Sequence, residues 1–240
     1  MGHLHLDTWH TVKQGEWLSK IAASYGLPWK LIWDHPKNAS LKQRRDPNIL
    51  FPGDQIFIPS SETREESRNT DKKHDFVIEK QPDFFELTLL YPGGEPIKDE
   101  PYTLHITDPP LTGTTDGNGH FKHENLDPMS LHDGLLELPG VGVQMWVGLG
   151  TLNPSHSKAA HSNEPSRYDD GLSGIQMRLL NLGYDPGSTD GQLDESGEIP
   201  AATERAIAQF QRYEMKLPPE KVTGELDDDT RQAIKDKFGV

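Results

Sequence analysis

Polar and apolar positions change period three times along the chain. "WHTV", Trp9 to Val12, alternates like a short strand, and Gly15 and Glu16 then turn the backbone. Trp17, Leu18, Ile21, Ala22 and Tyr25 repeat at helical spacing until Gly26 stops the run. Pro28 suits a first helical turn, and Trp29, Ile32 and Trp33 give the next helix its apolar side. "NILFPGDQIFIP" then reads as a turn and a closing strand with alternating Ile56 and Ile58, so the order over residues 1–60 is βααβ. From residue 76 to 150 the pattern is strand and turn only. "FFELTLLY", "YTLHIT", "GTTDGNGHFKH" and "GLLELPG" are short alternating runs broken by "PGGEP", "DPP" and "DGNG", which predicts a small all-β sandwich. Over residues 171–240 the period returns to helical: Ile175, Leu179 and Leu182 share one face and Gly183 ends it. "DGQLDESGEIPAATERAIAQF" and "TGELDDDTRQAIKDKF" then echo one another as Gly-x-Leu-Asp, Thr, Ala-Ile and Phe on amphipathic helices.

Two stretches lack any period. Residues 61–75 are polar and charged, and residues 151–170 are rich in Ser, Asn, Pro and Ala, so both read as linkers between three modules of a multidomain α+β chain. Composition agrees with several small cores: of 240 residues only 33% are hydrophobic and 26% are charged, while 19 prolines and 22 glycines demand many turns. The 24 basic residues against 38 acidic ones leave a formal charge of -14, which repels nucleic-acid phosphates and anionic lipid. With no cysteine there is no disulfide, thiolate metal site or thiol nucleophile. "MGHLHLDTWHTVKQGEW" carries no basic segment followed by an apolar run, and no stretch approaches the ~18 apolar residues of a membrane span, so synthesis in the cytosol without a secretory leader is expected.

"HTVKQGEWLSKIAASYGL", followed by "IWDHPKNASLKQRRDPNILFPGDQIFIP", resembles a LysM module in its first strand, its helix start and its final Pro-Gly-x-x-Ile-x-Ile-Pro. It departs from that pattern at Glu16 and Trp17, and in the longer stretch "HPKNASLKQRRDP". The resemblance implies a glycan groove in which backbone groups meet N-acetyl groups over an apolar floor; here its residues are Gln14, Gly15, Glu16, Trp17, Asn48, Ile49 and Leu50. Trp17, at helical spacing, is read either as groove or as core. The middle segment, on "GEPIKDEPYTLHI" and "GTTDGNGHF", is similar to transthyretin-like or carboxypeptidase-regulatory-like repeats, which act mostly as spacers.

"Q-x-x-L-x-x-L-G-Y", Asp190-Gly191 and "T-x-x-A-I-x-x-F-Q" resemble a three-helix peptidoglycan-binding domain, with an insertion in "DGQLDESGEIPAAT" that is expected to reshape its cleft. The resemblance puts Tyr184, Asp185 and Asp190 on the ligand turn, where acidic and aromatic side chains suit an amine and a hydrocarbon stem. Asp-Pro-Gly and Asp-Gly are also ordinary turn formers, so a purely structural role stands beside that one. His3, His5 and His10 lie close in sequence without the spacing of a metal site, and His120 and His123 flank Phe121 with no catalytic partner. The aspartates of "LDDDTRQAI" suit a helix cap better than calcium. No catalytic constellation, metal or cofactor is expected.

The LysM, transthyretin-like and peptidoglycan-binding order resembles accessory proteins of bacterial type VI secretion and related contractile injection systems. That resemblance implies a non-catalytic protein that binds peptidoglycan glycan or stem peptide, in the periplasm after delivery or within the machine. The other reading is a spike, tube or baseplate adaptor whose LysM fold grips protein. An enzyme centre in the sandwich is the remaining possibility and has no convergent acid, base and nucleophile to support it.

Overall fold

Residues 6–43, 45–60, 73, 82–91, 93–155 and 171–239 are described by a computed structural model. The readings of 61–75 and most of 151–170 as linkers, and of His3 and His5 as a terminal pair, fall outside these residues. The chain divides into two units, residues 1–43 with 55–151 and residues 44–54 with 152–240.

In the first unit, strand β1 (Thr8–Thr11) pairs antiparallel with β2 (Gln55–Ile58), setting Trp9 opposite Phe57. Helices α1 (Leu18–Ser24) and α2 (Trp29–Trp33) pack on each other and bury Leu18, Ile21, Ile32 and Trp33. The lengthened stretch folds: Pro36–Asn38 makes a 3-10 turn and Ala39–Lys42 a short helix, α3. Asn38 explains why. Its buried carboxamide donates to the Ile32 and Phe57 carbonyls and accepts from the Phe57 amide, satisfying backbone groups that would otherwise be orphaned under the helix. A period-2 pattern predicts one exposed face for β2, yet Phe57 is buried. Its ring is covered by Trp9 edge-on at 5.3 Å, His35 at 4.5 Å and Lys37 at 3.9 Å.

Among the described residues the same unit holds six more strands. β3 (Asp83–Thr88) pairs with β6 (His120–Leu126), while β4 (Pro101–Leu104), β5 (Leu111–Thr114), β7 (Gly134–Leu138) and β8 (Val143–Val147) form a four-stranded antiparallel sheet ordered β5-β4-β7-β8. The two sheets share a core of Leu104, Ile106, Phe121, Leu136 and Leu138, with Tyr102 stacked on Phe121 at 4.1 Å. Sequence reading leaves "VQMWV" out, although it supplies β8. The "DGNG" turn forms as expected. Asp116 accepts from the Asn118 and His120 amides, and the latter chiefly holds its carboxyl below the usual range. Gly119 stands at φ +75°, where an added Cβ would lie 2.3 Å from the Leu89 carbonyl oxygen, so only glycine fits.

In the second unit, helices α4 (Leu172–Asn181), α5 (Ala201–Tyr213) and α6 (Asp228–Phe238) enclose Ile175, Leu179, Ala206, Ile207, Phe210 and Ile234. Asp227 caps α6 by accepting from the Thr230 amide, with Asp228 and Asp229 in the first turn beside the helix's positive end. The internal echo has a physical basis in two buried glutamines. Gln176 donates to the Thr203 hydroxyl and accepts from the Gly191 amide; Gln211 does the same with Thr230 and Gly224. Each amide therefore ties a glycine turn to a helix start. The expected insertion closes on itself: Asp194 donates its amide to the Glu198 carbonyl, and its carboxylate takes the Ser196 hydroxyl and the Ser196 and Glu198 amides. The Gly191 clamp is thus left in place. Gln176→Leu is expected to cost about 1–3 kcal/mol, because the Gly191 amide loses its acceptor inside the core, while the Thr203 hydroxyl loses one donor and keeps its bond to the Pro186 carbonyl. Urea unfolding followed by circular dichroism measures it. Among the described residues no helix is long and apolar enough to cross a membrane.

Candidate functional site

The turn that follows β1 is built from its own polar groups. The Glu16 amide donates to the Lys13 carbonyl, and the Glu16 carboxylate accepts from the Lys13 amide at 2.8 Å. The same oxygen lies 2.8 Å from His10 Nε2, while His10 Nδ1 is 3.2 Å from the Tyr25 hydroxyl, with the two rings nearly perpendicular. Glu16 is therefore bent back over β1 and locks the turn. Gln14 is exposed and Gly15 half-buried, and both turn outward to the segment after β8. Gly15 donates its amide to the Gly150 carbonyl at 3.2 Å, and the Gln14 carboxamide donates to the Thr151 carbonyl at 3.2 Å.

Trp17 is core. Only 6% of it is exposed, and it belongs to the apolar cluster of the β-sandwich. Its indole N–H donates to Asp83 at 2.7 Å, Ser19 donates to the same carboxylate oxygen at 2.6 Å, and the Lys20 ammonium sits 4.6 Å over the ring. A tryptophan so enclosed offers no face to a sugar, which resolves the two readings of this residue toward packing.

In the second unit the loop from Arg45 to Asp54 is fastened by a buried ion pair. Arg45 Nε donates to Asp54 at 2.7 Å, and the Phe51 amide donates to the same oxygen at 2.9 Å. Asn48 at the loop's tip is exposed, whereas Ile49 and Leu50 are 5% and 3% exposed. Asp46 lies 3.7 Å from the Lys235 ammonium.

Tyr184 follows α4, edge-on to Phe210 at 5.8 Å, and its hydroxyl donates to Glu214, which in turn holds the Lys237 ammonium at 2.8 Å. Burial, reinforced by the Glu214 carboxylate, pushes the Tyr184 hydroxyl up to about 12, while Lys237 chiefly draws Glu214 below its ordinary range. Asp185 and Asp190 are exposed, each closing a turn with one oxygen, to the Gly187 and Gln192 amides respectively. A raised folded value means the neutral phenol stabilises the fold fully below pH 10, and that contribution fades as pH climbs from 10 to about 12. Thermal melting of the protein and of Tyr184→Phe is expected to differ by a constant amount below pH 10, and the difference to shrink as pH climbs from 10 to about 12: the wild type loses its advantage there, and the variant has none to lose.

Among the described residues no group of three or more metal-ligating side chains converges. His120 stands 3.9 Å from Glu86, and His123 meets the Tyr102 hydroxyl at 2.8 Å with its pKa lowered by burial. Sequence reasoning did not single out Asp83, Gly150 or the two glutamines. Asp83 and Gly150 act on the Gln14–Trp17 turn from far along the chain, so no local signal marks them; Gln176 and Gln211 do recur one helix apart, ahead of each half of the echo.

Residues 10–59 match the family described as "LysM domain", and residues 169–234 match the one described as "Putative peptidoglycan binding domain". No curated protein and no solved structure matches the chain. Each terminal part of the chain thus matches a family of binding domains, the C-terminal one described as peptidoglycan-binding.

Proposed function

We propose that this is a non-catalytic protein that holds bacterial peptidoglycan. The observation that carries the proposal is the presence of two unrelated wall-binding domains in one chain, a LysM over 10–59 and a peptidoglycan-binding domain over 169–234. Two weak contacts to one polymer reinforce each other through effective concentration, so neither module alone must bind tightly. In the C-terminal domain the exposed Asp185 and Asp190, which follow Tyr184 closely in sequence, suit the amine of a wall peptide, and the Tyr184 ring its methylene stem. In the first unit, Gln14, Gly15 and Glu16 on the turn after β1 are the glycan candidates and Trp17 is packing; in the second, Asn48 is the exposed candidate of its own loop, where Ile49 and Leu50 are buried.

Assembly with a type VI secretion or related injection machine is the proposed setting, supported by the order of the three segments. A protein adaptor is the second reading, favoured by the bonds from Gln14 and Gly15 to the chain's own backbone, which make this turn a gripper of carbonyl groups. Parallel capture on purified sacculi and on immobilised spike and tube proteins separates the two. Wall binding predicts retention on sacculi alone, and retention on spike or tube protein with none on sacculi makes the adaptor correct.

A further inference from the structure

The segment after β8 is anchored from behind as well as in front. Leu149 packs against the sandwich core, its amide donates to Asp133 at 2.7 Å, and Thr151 closes a turn on the Gly148 carbonyl at 3.2 Å. From that base two successive carbonyls, those of Gly150 and Thr151, take the Gly15 amide and the Gln14 carboxamide. Gly150 stands at φ +63°, and an added Cβ would lie 2.9 Å from both the Gly15 carbonyl carbon and the Trp17 ring, so the approach is as close as backbones permit. An N-acetyl group reaching this turn would present the same atom type, an amide carbonyl oxygen, to the same N–H. One amide hydrogen cannot serve both in full.

We infer that Gly148–Thr151 is a built-in occupant of the LysM front turn, so that an N-acetylated glycan and the sandwich's own strand end compete for the Gly15 amide and the Gln14 side chain. This rests on the wall-binding reading and divides it: in the resting chain the sugar meets a closed LysM turn, and first capture of the wall falls to the C-terminal domain. The arrangement also accounts for Trp17, whose burial beneath Gly150 fixes the turn against the sandwich.

The test uses the full chain, with chitohexaose as the probe, and reads amide exchange and NMR shifts at Lys13 to Trp17. In the wild type the Gly15 amide is expected to be protected and unmoved by millimolar chitohexaose. Gly150→Val, which drives the segment off the turn, is expected to raise Gly15 exchange roughly tenfold or more and to give a chitohexaose response there at least roughly tenfold stronger. Chitohexaose shifts at Gly15 in the wild type while the amide stays protected would overturn the inference, whether or not the variant folds. A folded Gly150→Val with an exchanging Gly15 and no gain in sugar binding would overturn it too. Sacculi capture by the same wild-type sample keeps the outcomes apart: pelleting with a silent LysM turn supports the division, whereas no pelleting removes the wall reading itself.

Discussion

Replacing Trp17 with alanine is expected to destabilise the protein by about 3–5 kcal/mol, the cost of emptying a large aromatic site in a packed core. Three losses coincide there: the ring leaves the cluster around Leu104 and Leu136, Asp83 loses its indole donor, and Gly150 loses the surface it rests on. Trp17→Phe should cost less, since it keeps an apolar ring and leaves Asp83 the Ser19 hydroxyl. Denaturant unfolding of the full chain checks both. A Trp17→Ala protein as stable as wild type would show that the tryptophan is not core.

Asp54→Ala carries the second large effect. The Arg45–Asp54 pair is almost fully enclosed, with side-chain exposures of 3% and 2%, and removing the carboxylate takes away the countercharge 2.7 Å from the Arg45 guanidinium. Breaking such a pair from one side costs about 3–5 kcal/mol, whereas replacing both partners by apolar groups of similar size costs far less. The Phe51 amide loses its acceptor in the same step, so the loop carrying Asn48, Ile49 and Leu50 should loosen first. Hydrogen exchange across residues 45–54, compared with a melting curve, distinguishes local opening from global loss. Unchanged exchange and an unchanged melting curve would show that the pair contributes nothing to the loop.

Elements set by local periodicity were legible: the βααβ order, the strand-rich middle and the helical end follow from positions a few residues apart. The echo of the C-terminal domain was also legible as a pattern, but its cause was not, because Gln176 and Gln211 look like ordinary polar helix positions until their turns fold back on them. β8 was passed over although Val143, Met145 and Val147 alternate through it, since the strand's outward face carries an exposed Trp146 and its neighbours are turn-rich glycines. At the site, the turn chemistry of Gly15, Asp185 and Asp190 could be read from residue type. The enclosure of Trp17 could not, because its partner Asp83 lies in the next sheet, and nothing in "GEWL" says which face of the helix start will be covered. Likewise Ile49 and Leu50 sit beside an exposed Asn48, and their burial follows from a loop held shut by Asp54.

The most direct test of wall binding is incubation of the full chain with purified sacculi, followed by sedimentation and analysis of both fractions. A net charge of -14 gives no electrostatic steering toward an acidic polymer, so capture through fitted contacts should persist as salt rises, with only the exposed carboxylate–amine share of it screened. The predicted result is saturable transfer of the protein to the pellet, at low and high salt alike, with no soluble muropeptides accumulating over time. Protein that stays in the supernatant, or sacculi that release muropeptides as incubation proceeds, would contradict it.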